Sequence, residues 1–180
     1  MNRLIQIEKT SDIPEIYLNT PIEELVCYQN LDKPFEQFDS AKILVGMCMD
    51  NRKHLRIPEN FAFIIRTGGA NLRYSEFKVS YSIAIGGIMH IALIAHNNCG
   101  MVNLLSRREK FIQNLVDKAG WERQNAIDHF LQFAPMFEIG NETDFVLSEV
   151  KRLRLRYPTI MVAPLMYILE SNKLFFLKEN

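Results

Sequence analysis

The 180-residue sequence predicts a single α/β domain built on a mostly parallel central β-sheet flanked by helices. Three observations carry that prediction. Short apolar runs at 42–47, 61–65, 91–95 and 159–163 have the length and composition of strands covered on both faces. Between and after them, apolar residues recur at helical spacing, as in Phe111, Ile112, Leu115, Val116 and Ala119. Strand, helix, strand in that order makes a βαβ unit, whose crossover is right-handed.

Taken in order, residues 1–40 read as an N-terminal helical arm and 41–180 as the α/β domain proper. In the arm, Thr20-Pro21-Ile22-Glu23 supplies an N-cap, a proline at the first helical position and a capping-box glutamate. Ile22, Leu25 and Val26 give that helix one apolar face, suited to a partner subunit, with Cys27 as a small buried hydrophobe. The second strand runs into Arg66-Thr67-Gly68-Gly69, a turn where backbone comes close to a neighbour. Residues 75–85 read as a helix with Phe77, Tyr81 and Ala84 on one side, stopped by Gly86-Gly87. Ser106-Arg107-Arg108-Glu109 is a second capping box, and Gly120 stops the helix it opens. A further helix over 121–133 ends before Pro135, and another spans 143–157 through Val146, Val150 and Leu153. The fourth strand stops at Ala163-Pro164, and 165–169 and 174–177 flank Ser171-Asn172 as a closing edge hairpin.

Composition narrows the function classes. Hydrophobic residues make up 48% and charged residues 23%, ordinary for a soluble domain. Lys+Arg and Asp+Glu are 21 each, which argues against a general nucleic-acid or anionic-membrane binder. No apolar run approaches the roughly 20 residues of a membrane span, and the first nine residues lack a signal-peptide core. The expectation is a cytoplasmic protein. Three cysteines are odd in number and too few for a disulfide framework, so reduced thiols are expected.

The chemistry sits at strand ends. Cys48 ends the first strand, His96 ends the third, and Cys99 lies in the turn after it. In a parallel sheet all three project from the carboxyl edge, where ligands of open α/β sheets bind. Two thiolates and an imidazole suit zinc better than magnesium or calcium. Three protein ligands leave a fourth position free, as in catalytic zinc sites. Asp50 and Arg52 stand beside Cys48 at a spacing that also occurs in plain surface ion pairs. His54, His90 and His129 are proton carriers by residue type, and nothing in their spacing ties them to the metal.

The pattern Cys48-x-Asp50-x-Arg52 followed by His96-x-x-Cys99-Gly100 resembles the β-class carbonic anhydrases. Between them, residues 63–70 look like that family's strand and glycine turn, and 81–87 like the helix end before its histidine strand. Residues 153–162, with Tyr157-Pro158, look like its final core strand. The resemblance covers roughly residues 40–177. It implies Cys48, His96 and Cys99 as ligands of one zinc per chain, with Asp50 and Arg52 as a catalytic pair. It implies hydration of carbon dioxide to bicarbonate and a proton, in a homodimer or homotetramer. Asp50 then either orients the attacking oxygen while paired with Arg52, or ligates the metal and closes the site. Asn51 replaces the family's common serine, Thr67-Gly68-Gly69 its Asn-Ala-Gly, and Ala95 the glycine before its histidine. Ala163-Pro164 also stands where glycine is frequent. These departures border the substrate pocket, and they leave carbonyl sulfide or carbon disulfide hydrolysis as the alternative activity. A non-catalytic zinc site closed by Asp50 is the third reading.

Overall fold

The computed structural model describes residues 3–179; Met1 and Asn2 of the expected arm, and Asn180, lie outside them. The strands are β1 (Leu4–Ile5), β2 (Ile43–Cys48), β3 (Ala62–Thr67), β4 (His90–His96), β5 (Met161–Ile168) and β6 (Lys173–Leu177). The helices are α1 (Pro21–Asn30), α2 (Glu76–Ala84), α3 (Arg108–Ala119), α4 (Arg123–Phe137) and α5 (Glu142–Arg156). The strands form one sheet in the order β1-β6-β5-β4-β2-β3. β3, β2, β4 and β5 are mutually parallel, while β6 and then β1 add antiparallel at the far side. The fold class expected from the sequence is the one observed.

Burial explains why the apolar runs lie where they do. Every residue of β2 is buried, as are six of the seven in β4. On one face Ile43, Val45, Ala92, Ile94, Leu165 and Phe176 meet Ile22, Leu25 and Val26 of α1. On the other, Leu44, Leu93 and Val162 meet Val79 of α2 and Val146, Val150 and Leu153 of α5. Gly46 admits this packing, since a Cβ there would lie 2.8 Å from Leu72 and 2.9 Å from Leu93. The apolar face of α1 is covered by its own chain. Tyr17 stacks on Phe176 at 5.0 Å, and Asn30 makes two hydrogen bonds to the backbone of Leu174. Among the described residues no helix is long and apolar enough to cross a membrane.

Several local expectations need correction. β5 runs through Pro164 without breaking, because its ladder with β6 begins only at Leu165. Pro135 lies inside α4, two residues before its end, where one missing N–H interrupts little of the helix. Ser106 caps no helix; its hydroxyl donates to the carbonyl of Asn103, and a 3₁₀ turn at Leu104–Arg107 leads into α3. On α2 the buried side carries Val79 and Ser82, while Phe77, Tyr81 and Ala84 face outward. The expected stops hold: Gly87 and Gly120 both take the left-handed conformation, and Gly87 closes α2 with bonds from Gly87 N to Ile83 O and Ile88 N to Ser82 O.

α3 and α4 stand apart from both sheet faces. They pack on each other through Ile112, Ala126, Phe130 and Ala134, a third small core beyond the carboxyl ends of β2 and β4.

Candidate metal centre

β2 pairs with β3 on one side and β4 on the other, so the chain reverses its direction of growth between β2 and β4. That is the switch point at which open α/β sheets form a crevice. Cys48 is the last residue of β2 and His96 the last of β4. Cys99 follows in the turn, where Asn98 takes a left-handed conformation that turns the chain back toward β2. All three side chains are buried, and their ligand atoms lie within 4.8 Å of one another.

The donor set fits a metal ion. Nδ1 of His96 donates to the carbonyl oxygen of Asn97 at 2.9 Å, which leaves Nε2 as the ring nitrogen available to a metal. Nε2 is fully buried and has no hydrogen-bond partner among the described residues, a costly state for a polar atom with nothing to bind. The two sulfurs are 3.9 Å apart, and two thiolates on a tetrahedral zinc lie about 3.8 Å apart. The hydrogen bond from Cys99 draws the Cys48 thiol down, and the same bond pushes Cys99 up.

Asp50 and Arg52 form the expected pair. Nε of Arg52 donates to Oδ1 at 2.9 Å and to Oδ2 at 3.1 Å, Nη2 donates to Oδ2 at 2.5 Å, and the Arg52 N–H donates to Oδ1 at 2.9 Å. These bonds, more than any other influence, hold the Asp50 carboxyl well below the usual carboxylate range. Its Oδ2 lies 3.8 Å from Nε2 of His96. Nη2 of Arg52 also donates to the carbonyl of Asn98 at 3.0 Å, tying together the two loops that carry Cys48 and Cys99.

Two supporting residues escaped the sequence. Lys53 is completely buried, and its ammonium donates to the carbonyl of Cys48 at 3.1 Å. Burial pushes its pKa down, and the charge of Cys48 pulls it back up. Glu142, in the first turn of α5, accepts the backbone N–H of Cys99 at 3.0 Å and so fixes the turn. Neither belongs to a recurrent pattern; the only signal was a lysine next to Arg52 and an acidic residue at a helix start. Asn97 fastens the same turn to the β5–β6 hairpin, accepting from Leu169 N at 2.9 Å and donating to Glu170 at 2.7 Å. His54, His90 and His129 are absent from the cluster. Gly100 lines the open cleft over Cys48, Asp50 and Arg52, and a side chain there would meet nothing closer than 3.9 Å.

No protein-family model matches the chain, and no curated protein does. Solved structures match it well in shape. The β-carbonic anhydrase isoform I of Trichomonas vaginalis superposes with a TM-score of 0.64 at 15% identity, over 93% of this chain and 100% of that one. The carbonic anhydrase from Glaciozyma antarctica gives 0.62 at 18% identity, over 92% and 100%. A carbon disulfide hydrolase in its apo form gives 0.55 at 20% identity, over 77% and 79%.

Proposed function

The chain has the fold of the β-carbonic anhydrases, and from that premise we propose that it is a zinc-dependent carbonic anhydrase. One zinc per chain would be held by Cys48, His96 and Cys99, all within residues 41–180, with 1–40 as the N-terminal arm. The observation that carries this reading is the unpartnered, buried Nε2 of His96 facing two sulfurs 3.9 Å apart. When bound, zinc lowers the pKa of a coordinated water and so supplies a nucleophile near neutral pH. Asp50 would act as a fixed hydrogen-bond acceptor for the attacking water, orienting it toward the carbon of carbon dioxide. Arg52 keeps Asp50 in this role by occupying both carboxylate oxygens. Water adds to the carbon, bicarbonate leaves, and one proton passes to buffer. The Asp50–Arg52 pairing also speaks against a closed, non-catalytic site, in which Asp50 would be given up to the metal. A reducing, cytoplasmic setting suits the free thiols.

The second reading, hydrolysis of carbonyl sulfide or carbon disulfide, draws on the Thr67-Gly68-Gly69 turn and on an apolar chamber beside the cleft. Stopped-flow turnover of the three gases by zinc-loaded protein separates the two. Carbon dioxide is expected to be fastest, with a rate that rises with pH, because two thiolates cancel the metal's charge and leave its water less acidic. No hydration at any pH with zinc bound stoichiometrically would sink the proposal.

The same reading makes the protein a homodimer. Phe77, Tyr81 and Ile85 fall on one outward face of α2 and its end, 80%, 52% and 72% exposed. Phe63 of the edge strand β3, on the α2 side of the sheet and 40% exposed, lies against Gly86 at the end of α2, and among the described residues β3 is unpaired on its outer side. So much contiguous apolar surface marks an interface, and a second copy is its proposed occupant. Phe77→Glu is expected to convert the dimer to monomer in analytical ultracentrifugation. A wild-type monomer at micromolar concentration would contradict this.

A further inference from the structure

Between the α3–α4 hairpin and the carboxyl edge of the sheet lies a chamber of about 240 Å³. Its wall includes Met49, Met101, Phe111, Phe130, Phe137 and His129. Met49 and Met101 also border the cleft over Cys48 and Asp50, so the two spaces share a wall made of thioethers. A Cβ at Gly68 would lie 3.1 Å from the sulfur of Met101 and 3.2 Å from the Phe137 ring. That glycine lets both side chains close the inner end. The hairpin's own small core leaves the chamber unfilled, since Ile112 and Ala126 pack between α3 and α4 while Ala134 borders the chamber.

Size and lining define what fits. An apolar cavity of about 150 Å³ holds benzene, so this one takes a single ring with a small substituent. Aromatic edges and methionine sulfurs are favourable neighbours for a ring. Apart from His129, no side chain on the wall is ionisable, which excludes a strongly charged ligand. His129 is held by ring contacts alone, 4.8 Å from Phe133, 5.2 Å from Trp121 and 6.2 Å from Phe111. Its ring nitrogens make no hydrogen bond to the protein among the described residues, which leaves one directional polar contact on an apolar wall.

We propose that this chamber binds an uncharged, single-ring aromatic molecule bearing one hydroxyl, the ring among the methionines and phenylalanines and the hydroxyl on His129. The site is separate from the metal ligands and does not depend on the activity proposed above.

The test titrates p-cresol, with toluene as the control lacking the hydroxyl, into metal-free full-length protein carrying ¹³C-methyl methionine. Saturable shifts of the Met49 and Met101 methyl signals are expected with both compounds. His129→Phe should weaken p-cresol about three- to tenfold, the worth of one hydrogen bond, and leave toluene unchanged. Ala134→Phe, which fills the chamber, should abolish both. Absence of saturable shifts in the wild type, or equal loss of both compounds in His129→Phe, overturns the proposal. Unaltered affinity in a folded Ala134→Phe protein overturns it too. The His129→Phe comparison stands even where the filling variant fails to fold.

Discussion

Replacing Cys99 with serine is expected to strip the protein of its metal. The three proposed ligands would leave no redundancy, and a serine hydroxyl is a poor donor to zinc at neutral pH. Zinc retained after dialysis against a chelator should fall from about one per chain to below about 0.1. The thermal stabilisation that added zinc gives the wild type should vanish with it, because an ion that binds only the folded state stabilises by mass action. Carbon dioxide hydration should drop by about a thousandfold or more, the metal being the source of the nucleophile. Elemental analysis and a melting curve with and without zinc read this independently of activity. Stoichiometric zinc in the purified variant would remove Cys99 from the ligand set.

The second large effect concerns Arg52. Arg52→Met removes every side-chain bond that now occupies the carboxylate of Asp50, including both bonds to Oδ2. The freed carboxylate lies 3.8 Å from Nε2 of His96 and becomes a candidate fourth ligand. Activity is expected to fall about a hundredfold or more, on the scale of losing one oriented group at a reacting centre. Zinc content should stay near one per chain. Cobalt-substituted protein gives the discriminating signature: the variant's visible spectrum should no longer change with added anions that compete for an open position. The paired variant Asp50→Asn with Arg52→Met should recover that response while remaining slow. Full activity in Arg52→Met would show that the pair has no part in the reaction.

How far the sequence carried these conclusions depends on the kind of contact. Cys48 and His96 were legible because a run of buried apolar residues ends on each, and parallel strands bring their ends to one edge. Cys99 was legible through its spacing from His96. Asp50 and Arg52 are two apart, and only the fold distinguishes their close-fitting pair from a surface one. Lys53 and Glu142 support Cys48 and Cys99 through backbone atoms, so no side-chain pattern announces them. The stripe on α2 was legible only as one side of a helix: Phe77 and Tyr81 share that side, and periodicity does not say whether it meets its own sheet or another molecule. Pro164 and Pro135 read as stops because a proline's cost depends on which neighbour its missing N–H would have served. That neighbour is known only once the strands are paired and the helix ends are placed.

The 3.9 Å between the sulfurs of Cys48 and Cys99 has a further chemical meaning. Two thiols this close, in a protein whose third cysteine is buried elsewhere, within α1, are one oxidant away from a disulfide. Forming it would release two electrons and two protons and leave neither sulfur able to bind a cation. An ion held as proposed would prevent this by claiming both sulfurs first. On the proposed ligand set, metallation and oxidation would be rival outcomes for one pair of atoms, and the redox poise of the surroundings would set how much of the protein could be loaded.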